Sequence, residues 1–302
     1  MSDAPADVLV SVTIMRPEER ALLEAFRAAG LTAHSVTPRH AATFLNDRAL
    51  APRLVVLRNI SHRELAGMSG RFEQAGIPTL NNPHAVRLCL SKELQALAFA
   101  RAGVSHPRTL IAFSTEQVGE QVAALGGDAV VKPVSGSWGR GIVRVTGESE
   151  FAAWRGGWEA LDPGERSFPV VVQQYVDKPG YNERVIVIGD RAVVAYRQVS
   201  DNLRTNTHLG GTVQPVALSP RAVELAERVV ALFGPGFYGI DLAESSTTGE
   251  LFVLEVNTNP EFARSAGIHG VDIPGLLARY VRSVLDGQDV DGGPAEREEK
   301  AA

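Results

Sequence analysis

The stretch VVKPVSGSWGRGIVRV, residues 130–145, closes a β-branched run on Lys132, crosses a loop of glycines and serines, and resumes a β-branched run. Such a loop between two strands can lay backbone N–H groups around phosphate oxygens, with the lysine supplying charge. It is not a P-loop, because the G-K-[ST] ending is absent and a strand follows where a P-loop feeds a helix. A flexible hairpin with a surface lysine fits the same residues. A phosphate site therefore needs partners elsewhere in the chain.

Those partners lie more than a hundred residues downstream. Asp241 in YGIDL and Glu255 and Asn257 in LEVNTN close apolar strands, and the period of two puts Glu255 and Asn257 on one face. Two carboxylates and an amide are hard oxygen ligands suited to Mg²⁺ on nucleotide phosphates, although strand-end carboxylates facing water have the same pattern. Cations are available to face them: Arg184 in NERVIVIG, Arg197 in AYRQVS, Arg204, Asn206 and His208 in RTNTHLGG, and Arg264. Alternation sets Arg184, Ile186 and Ile188 on one face of their strand. Asn259, Glu261, Phe262 and Arg264 follow the metal strand directly and are expected near the reacting centre.

Outward from these motifs, 302 residues with 44% hydrophobic and 22% charged side chains describe a globular chain large enough for two or three domains. The net charge of -5 argues against a general nucleic-acid binder. A single cysteine, Cys89, excludes an internal disulfide and paired-thiolate zinc, and its leucine neighbours read as those of a buried thiol. No apolar run is long enough for a membrane span, and Met1–Ala6 carries no basic leader, so a cytoplasmic protein is expected. Strands at 8–14 and 54–57 alternating with helices at 17–29 and 63–75 imply a parallel βαβ unit. MRPEE follows the first strand where a dinucleotide fold would place G-x-G-x-x-G, so no dinucleotide site is expected there. From Ser91, a capped helix at 92–101 leads into strands with a Gly189-Asp190 hairpin, and a helix from Pro220 to Gly234 is marked by Ser219 at its N-cap. Another helix spans 273–285, beyond which the residues are too polar to fold.

Taken in order, SKELQALAFARAG, VVKPVSGSWGRG, VVQQYV, NERVIVIGDRAVVAYR, NTHLGG, GIDL and LEVNTNPEF resemble the ATP-grasp ligases, most of all the RimK and LysX branch. The resemblance runs from the first strand to about Leu285. It implies an α/β and α+β protein of ATP-grasp fold: an N-terminal open α/β domain over 1–88, two α+β subdomains over 89–176 and 177–285 that clasp ATP, and a disordered tail over 286–302. Lys92 and Lys132 look like the lysines on the nucleotide phosphates. Ser135, Gly136, Ser137, Trp138, Gly139 and Gly141 look like the lid over them. Gln173, Gln174, Tyr175 and Val176 match the hinge whose backbone meets the adenine edge. Asp241, Glu255 and Asn257 match the Mg²⁺ ligands. Arg184, Arg197, Asn206 and Gly211 fall where the family holds the acyl phosphate and substrate carboxylates. One departure stands out: Asn182, with Glu183 beside it, replaces an acidic residue.

The resemblance implies an ATP-dependent ligase that attaches glutamate or 2-aminoadipate to the C-terminal glutamate of a small acidic amino-group carrier protein. Its cofactors would be ATP and Mg²⁺, with neither nucleic acid nor membrane as partner, and dimers or tetramers are common in the family. A RimK-like protein-tail ligase, a small-metabolite peptide ligase and a non-catalytic nucleotide-binding regulator are the alternatives. No nucleophilic side chain is needed for acyl-phosphate chemistry, which agrees with the lack of a Ser-His-Asp or Cys-His set.

Overall fold

Val and Leu dominate strands one and three of the chain, which are buried on both faces. The computed structural model describes residues 5–46, 50–136, 139–162, 167–200, 212–263, 268 and 270–287. Strands β1 (Val8–Val12), β2 (Ala33–Val36), β3 (Leu54–Arg58) and β4 (Thr79–Leu80) form a parallel sheet in the order β2-β1-β3-β4. Every residue of β1 and β3 is buried, so neither strand shows alternation. Helices α1 (Pro17–Ala28), α2 (Ala41–Asn46), α3 (His62–Gln74) and α4 (Pro83–Cys89) accompany it, with Ser61 and Asn82 capping the last two. In place of a glycine loop after β1, the Glu19 carboxylate accepts the Arg16 N–H at 3.0 Å and so caps α1.

Helix α5 (Lys92–Ala102) starts on the Ser91 cap and stops at Gly103, whose φ of 64° is the left-handed conformation that ends helices. The central sheet follows, in the order β5-β8-β6-β7, from β5 (Thr109–Ala112), β6 (Ala129–Pro133), β7 (Val143–Val145) and β8 (Val170–Gln174). Helices α6 (Thr115–Ala124) and α7 (Glu148–Ala160) close one of its faces. A ladder of aromatic rings, Phe151, Trp154, Trp158 and Phe168, runs through that layer with centroids 6.1, 5.5 and 5.1 Å apart.

The third sheet is antiparallel, in the order β11-β10-β9-β12-β13, from β9 (Tyr181–Gly189), β10 (Arg191–Val199), β11 (Thr212–Val216), β12 (Gly236–Glu244) and β13 (Leu251–Asn257). Helix α8 (Pro220–Phe233) buries Leu225, Val229 and Phe233 against one face, with Val185, Val187 and Ile240. On the other face Ile186, Ile188 and Phe237 join Val8, Val10, Leu22 and Phe26 of the N-terminal unit, and α9 (Ile273–Leu285) seals that core with Leu277 and Val281. The boundary drawn at residue 88 therefore separates sheets but not packing. Helix α5, grouped by sequence with the central unit, packs on α8 and β13. Residues 288–302, expected to be a disordered tail, lie outside the described residues. Among the described residues no helix is long and apolar enough to cross a membrane.

Candidate active site

The three sheets meet around a cleft of about 220 Å³. From the central sheet, β6 supplies Lys132 and β8 supplies Gln173, each directed into the cleft face. Lys132 Nζ donates to Gln173 Oε1 at 2.6 Å, and Gln173 Nε2 donates to Thr109 Oγ1 at 2.9 Å. Burial pulls Lys132 down to about 8, against the opposing pull of Glu255. Gln174, Tyr175 and Val176 continue the same wall.

Lys92 occupies the first position of α5, where Ser91 caps the helix. Its Nζ donates to Gly136 O at 2.8 Å and lies 3.2 Å from Glu255 Oε1, so it ties the glycine loop to the third sheet. On that sheet Asp241 of β12 stands in register with Glu255 of β13 and with Arg184 of β9. Arg184 Nε and Nη2 each donate to an Asp241 oxygen at 2.7 Å. Burial would lower the Arg184 pKa, but the Asp241 pair outweighs it and raises the pKa above its ordinary value. Asn257 Nδ2 lies 3.4 Å from Asp241 Oδ2.

Asp241, Glu255 and Asn257 thus share one end of the cleft. Among the described residues there is no cluster of three or more His, Cys, Asp or Glu side chains that could hold a metal, so this two-carboxylate, one-amide set is the available donor group. It fits a hard cation such as Mg²⁺, because an ionised carboxylate has about four lone-pair sites and Arg184 takes two of those on Asp241.

Several expected residues fall elsewhere. Arg197 is a correction: in the β9–β10 register it pairs with Glu183, while Tyr196 pairs with Arg184, so the guanidinium leaves on the reverse face. There it lies over the Tyr181 ring, 4.1 Å from its centroid. Phe262 is a second correction, being only 2% exposed and packed on Phe237 at 6.0 Å with Arg58 over its ring. It is core, not substrate wall. Ser135 and Gly141 do not line the cleft, although Ser135 Oγ shares a 3.0 Å hydrogen bond with His62 Nδ1. Gly136, Gly139, Asn259 and Glu261 do line it. Asn182 lines it too, whereas Glu183 points away with Arg197. Ser137, Trp138, Arg204, Asn206, His208, Gly211 and Arg264 lie outside the described residues.

The cleft also contains residues that the motifs did not mark. Lys178, just beyond the hinge, donates to Asn182 Oδ1 at 2.7 Å, and burial lowers it to about 8. His62, its pKa lowered by burial and then by Lys92, enters from α3. Arg16 and Asn59 arrive from the ends of β1 and β3. For Lys178 the signal was a cation two residues after QQYV; for Arg16 it was the charged turn that replaced a glycine loop.

Residues 91–281 match the RimK-like ATP-grasp domain, and residues 8–88 match the LysX preATP-grasp domain. The alpha-aminoadipate–LysW ligase LysX of Saccharolobus solfataricus is 30% identical over 265 residues, 87% of this chain and 96% of that protein. A tetrahydromethanopterin:alpha-L-glutamate ligase of Methanosarcina acetivorans is 27% identical and covers 86% of this chain and 89% of its own. Among solved structures, a RimK domain ATP-grasp protein from Sphaerobacter thermophilus superposes with a TM-score of 0.75 at 25% identity, over 91% of this chain and 99% of that one.

Proposed function

The chain belongs to the RimK-like ATP-grasp ligases, with a LysX-type domain before the grasp, and from that premise we propose that it aminoacylates a carrier protein. It is an amide-forming ligase that uses ATP. In the proposed reaction the side-chain carboxylate of a C-terminal glutamate, on a small acidic carrier, attacks the γ-phosphorus of ATP. The bond to ADP breaks with its electron pair on the β-phosphate oxygen, leaving an acyl phosphate. The α-amino nitrogen of glutamate or 2-aminoadipate then attacks the acyl carbon. Phosphate departs with the C–O pair, and the nitrogen gives up its proton.

Little covalent work falls to the protein in such a reaction; position and charge carry it. Lys92 and Lys132 neutralise phosphate oxygens, the 173–176 segment presents backbone to the base, and Arg184 faces the acyl phosphate. Asp241, Glu255 and Asn257 would hold Mg²⁺, which would draw charge off the phosphates. One observation carries this reading: the two lysines, the hinge residues and the oxygen-donor set line a single cleft. The carrier is argued from the relatives named for LysW, which the chain matches nearly end to end.

Mass spectrometry after incubation with ATP, Mg²⁺, glutamate or 2-aminoadipate, and an acidic Glu-terminated carrier should find the carrier heavier by one amino-acid residue. Full ADP release driven by a small metabolite, with no change in carrier mass, would replace this reading with a metabolite ligase.

A further inference from the structure

We propose that Arg16, Asn59 and Glu261 form the subsite for the head group of the incoming amino acid, its α-carboxylate on Arg16 and Asn59 and its α-ammonium on Glu261. The proposal rests on the ligase reading above and assigns the end of the cleft away from the lysines. All three residues line the cleft, and two of them follow strands β1 and β3 of the parallel sheet, not the strands that carry Lys132 and Gln173.

Asn259 assembles the group. Its Oδ1 accepts from Arg16 Nη2 at 3.2 Å, and its Nδ2 donates to the carbonyls of Arg58 and Asn59 at 3.2 Å each. Arg16 is held by Glu19, which takes Nε at 3.0 Å and Nη2 at 2.6 Å. That leaves Nη1 facing Glu261, 3.8 Å from Oε1 and beyond hydrogen-bond distance. The Glu261 side chain is 38% exposed. Asn59 is 1% exposed; its Oδ1 accepts from Ser11 Oγ at 2.8 Å, while its Nδ2 has no hydrogen-bond partner. A buried donor without a partner costs free energy, so such a donor on a residue that lines the cleft is suited to a ligand oxygen.

Among the described residues the neighbouring acidic groups have partners of their own. Glu19 pairs with buried Arg58 at 3.0 Å, and a Glu18 oxygen accepts the Ala263 N–H at 3.3 Å. What remains among the described residues is one guanidinium edge and one carboxylate, ion-paired at 3.8 Å without a hydrogen bond, and one amide donor. An α-amino acid carries the complementary pair on one carbon: a carboxylate for Arg16 Nη1 and the amide of Asn59, and an ammonium for Glu261. Glu261 follows Asn257 by four residues, which keeps the nitrogen near the oxygen-donor set.

Steady-state kinetics of Asn59→Asp and Glu261→Gln, with the amino acid varied, test the site. Asn59→Asp preserves the acceptor for Ser11 and replaces the free donor with a carboxylate. Each variant should raise the amino-acid KM by about 10- to 100-fold, with the KM for ATP and calorimetric ATP binding within about twofold of wild type. The wild type should reject the α-amide of the amino acid, and Asn59→Asp should shrink that discrimination, a change that a merely structural role would not produce. Unchanged amino-acid KM values in both variants, or equal use of the α-amide by the wild type, would overturn the subsite and leave the ligase standing. A wild type showing no glutamate- or aminoadipate-dependent ADP release would overturn the ligase reading and this site together.

Discussion

A buried lysine whose partner is a neutral amide gives up its proton more readily than one in water, and Lys132 beside Gln173 is in that position, as is Lys178 beside Asn182. Both titrate near 8 without ligand, and a phosphate arriving beside either one would hold the proton on. Nucleotide binding above pH 8 should therefore take up protons, and ATP affinity should fall as pH rises past 8. Calorimetry in buffers of unlike ionisation enthalpy reads both effects. Glu255→Gln keeps the shape but loses the charge facing Lys92, and turnover should vanish while the fold and melting temperature stay near wild type; near-normal ADP release would remove Glu255 from the metal set. Glu19→Ala is the contrasting case, because it strands fully buried Arg58, and denaturant titration should find a loss of about 3–5 kcal/mol. That Asp241 and Glu255 would meet at the cleft was legible in sequence because carboxylates ending apolar strands are conspicuous. Arg16 and Asn59 were not, since Asn259, which joins them, lies about two hundred residues on. Arg197 was misread because its own strand gives no clue to register, and one step of register turns a side chain to the other face.

Strand β13 ends its sheet, and its exposed backbone is met by a side chain. Gln95 of α5 donates Nε2 to Val256 O at 3.1 Å and accepts the Val256 N–H on Oε1 at 2.8 Å, as a neighbouring strand would. Glu255 and Asn257 flank that residue, so the amide fixes the backbone that aims both. Gln95→Leu leaves two buried backbone groups unpaired, which should cost about 1–3 kcal/mol each, and Mg·ATP affinity should drop with stability. Calorimetric binding and thermal melting measure the two, and a stability loss with unchanged binding would reduce Gln95 to a structural brace. Helices with clear caps, α5 and α8, were readable from sequence. Helices α6 and α7 were not, because both carry internal glycines that read as breakers. Gly119 has a packing reason: a Cβ there would lie 3.0 Å from the Phe151 ring, so the glycine lets α6 approach α7.

Across the whole molecule the cores are unevenly shared. The parallel sheet and the five-stranded sheet share one interior, sealed by α9, besides a core on the outer face of each, whereas the central sheet keeps its own under α6 and α7. Hydrogen exchange of the ligand-free enzyme should show the first two protecting their amides together and the central sheet exchanging at a lower opening energy. Leu277→Ala, in the shared interior, should cost about 2–5 kcal/mol and loosen both of its sheets at once. Domain boundaries drawn along the sequence follow chain order, so this sharing, which depends on a C-terminal helix returning to α1, was out of their reach. The aromatic ladder of the central layer has an optical consequence. All three tryptophans, Trp138, Trp154 and Trp158, fall between residues 138 and 158, so the protein's tryptophan emission, excited beyond the tyrosine band, comes from that unit alone. Fluorescence and far-ultraviolet dichroism, recorded on one unlabelled sample, would then report different parts of the same chain, and the gap between their midpoints would measure how far nucleotide couples the central unit to the rest.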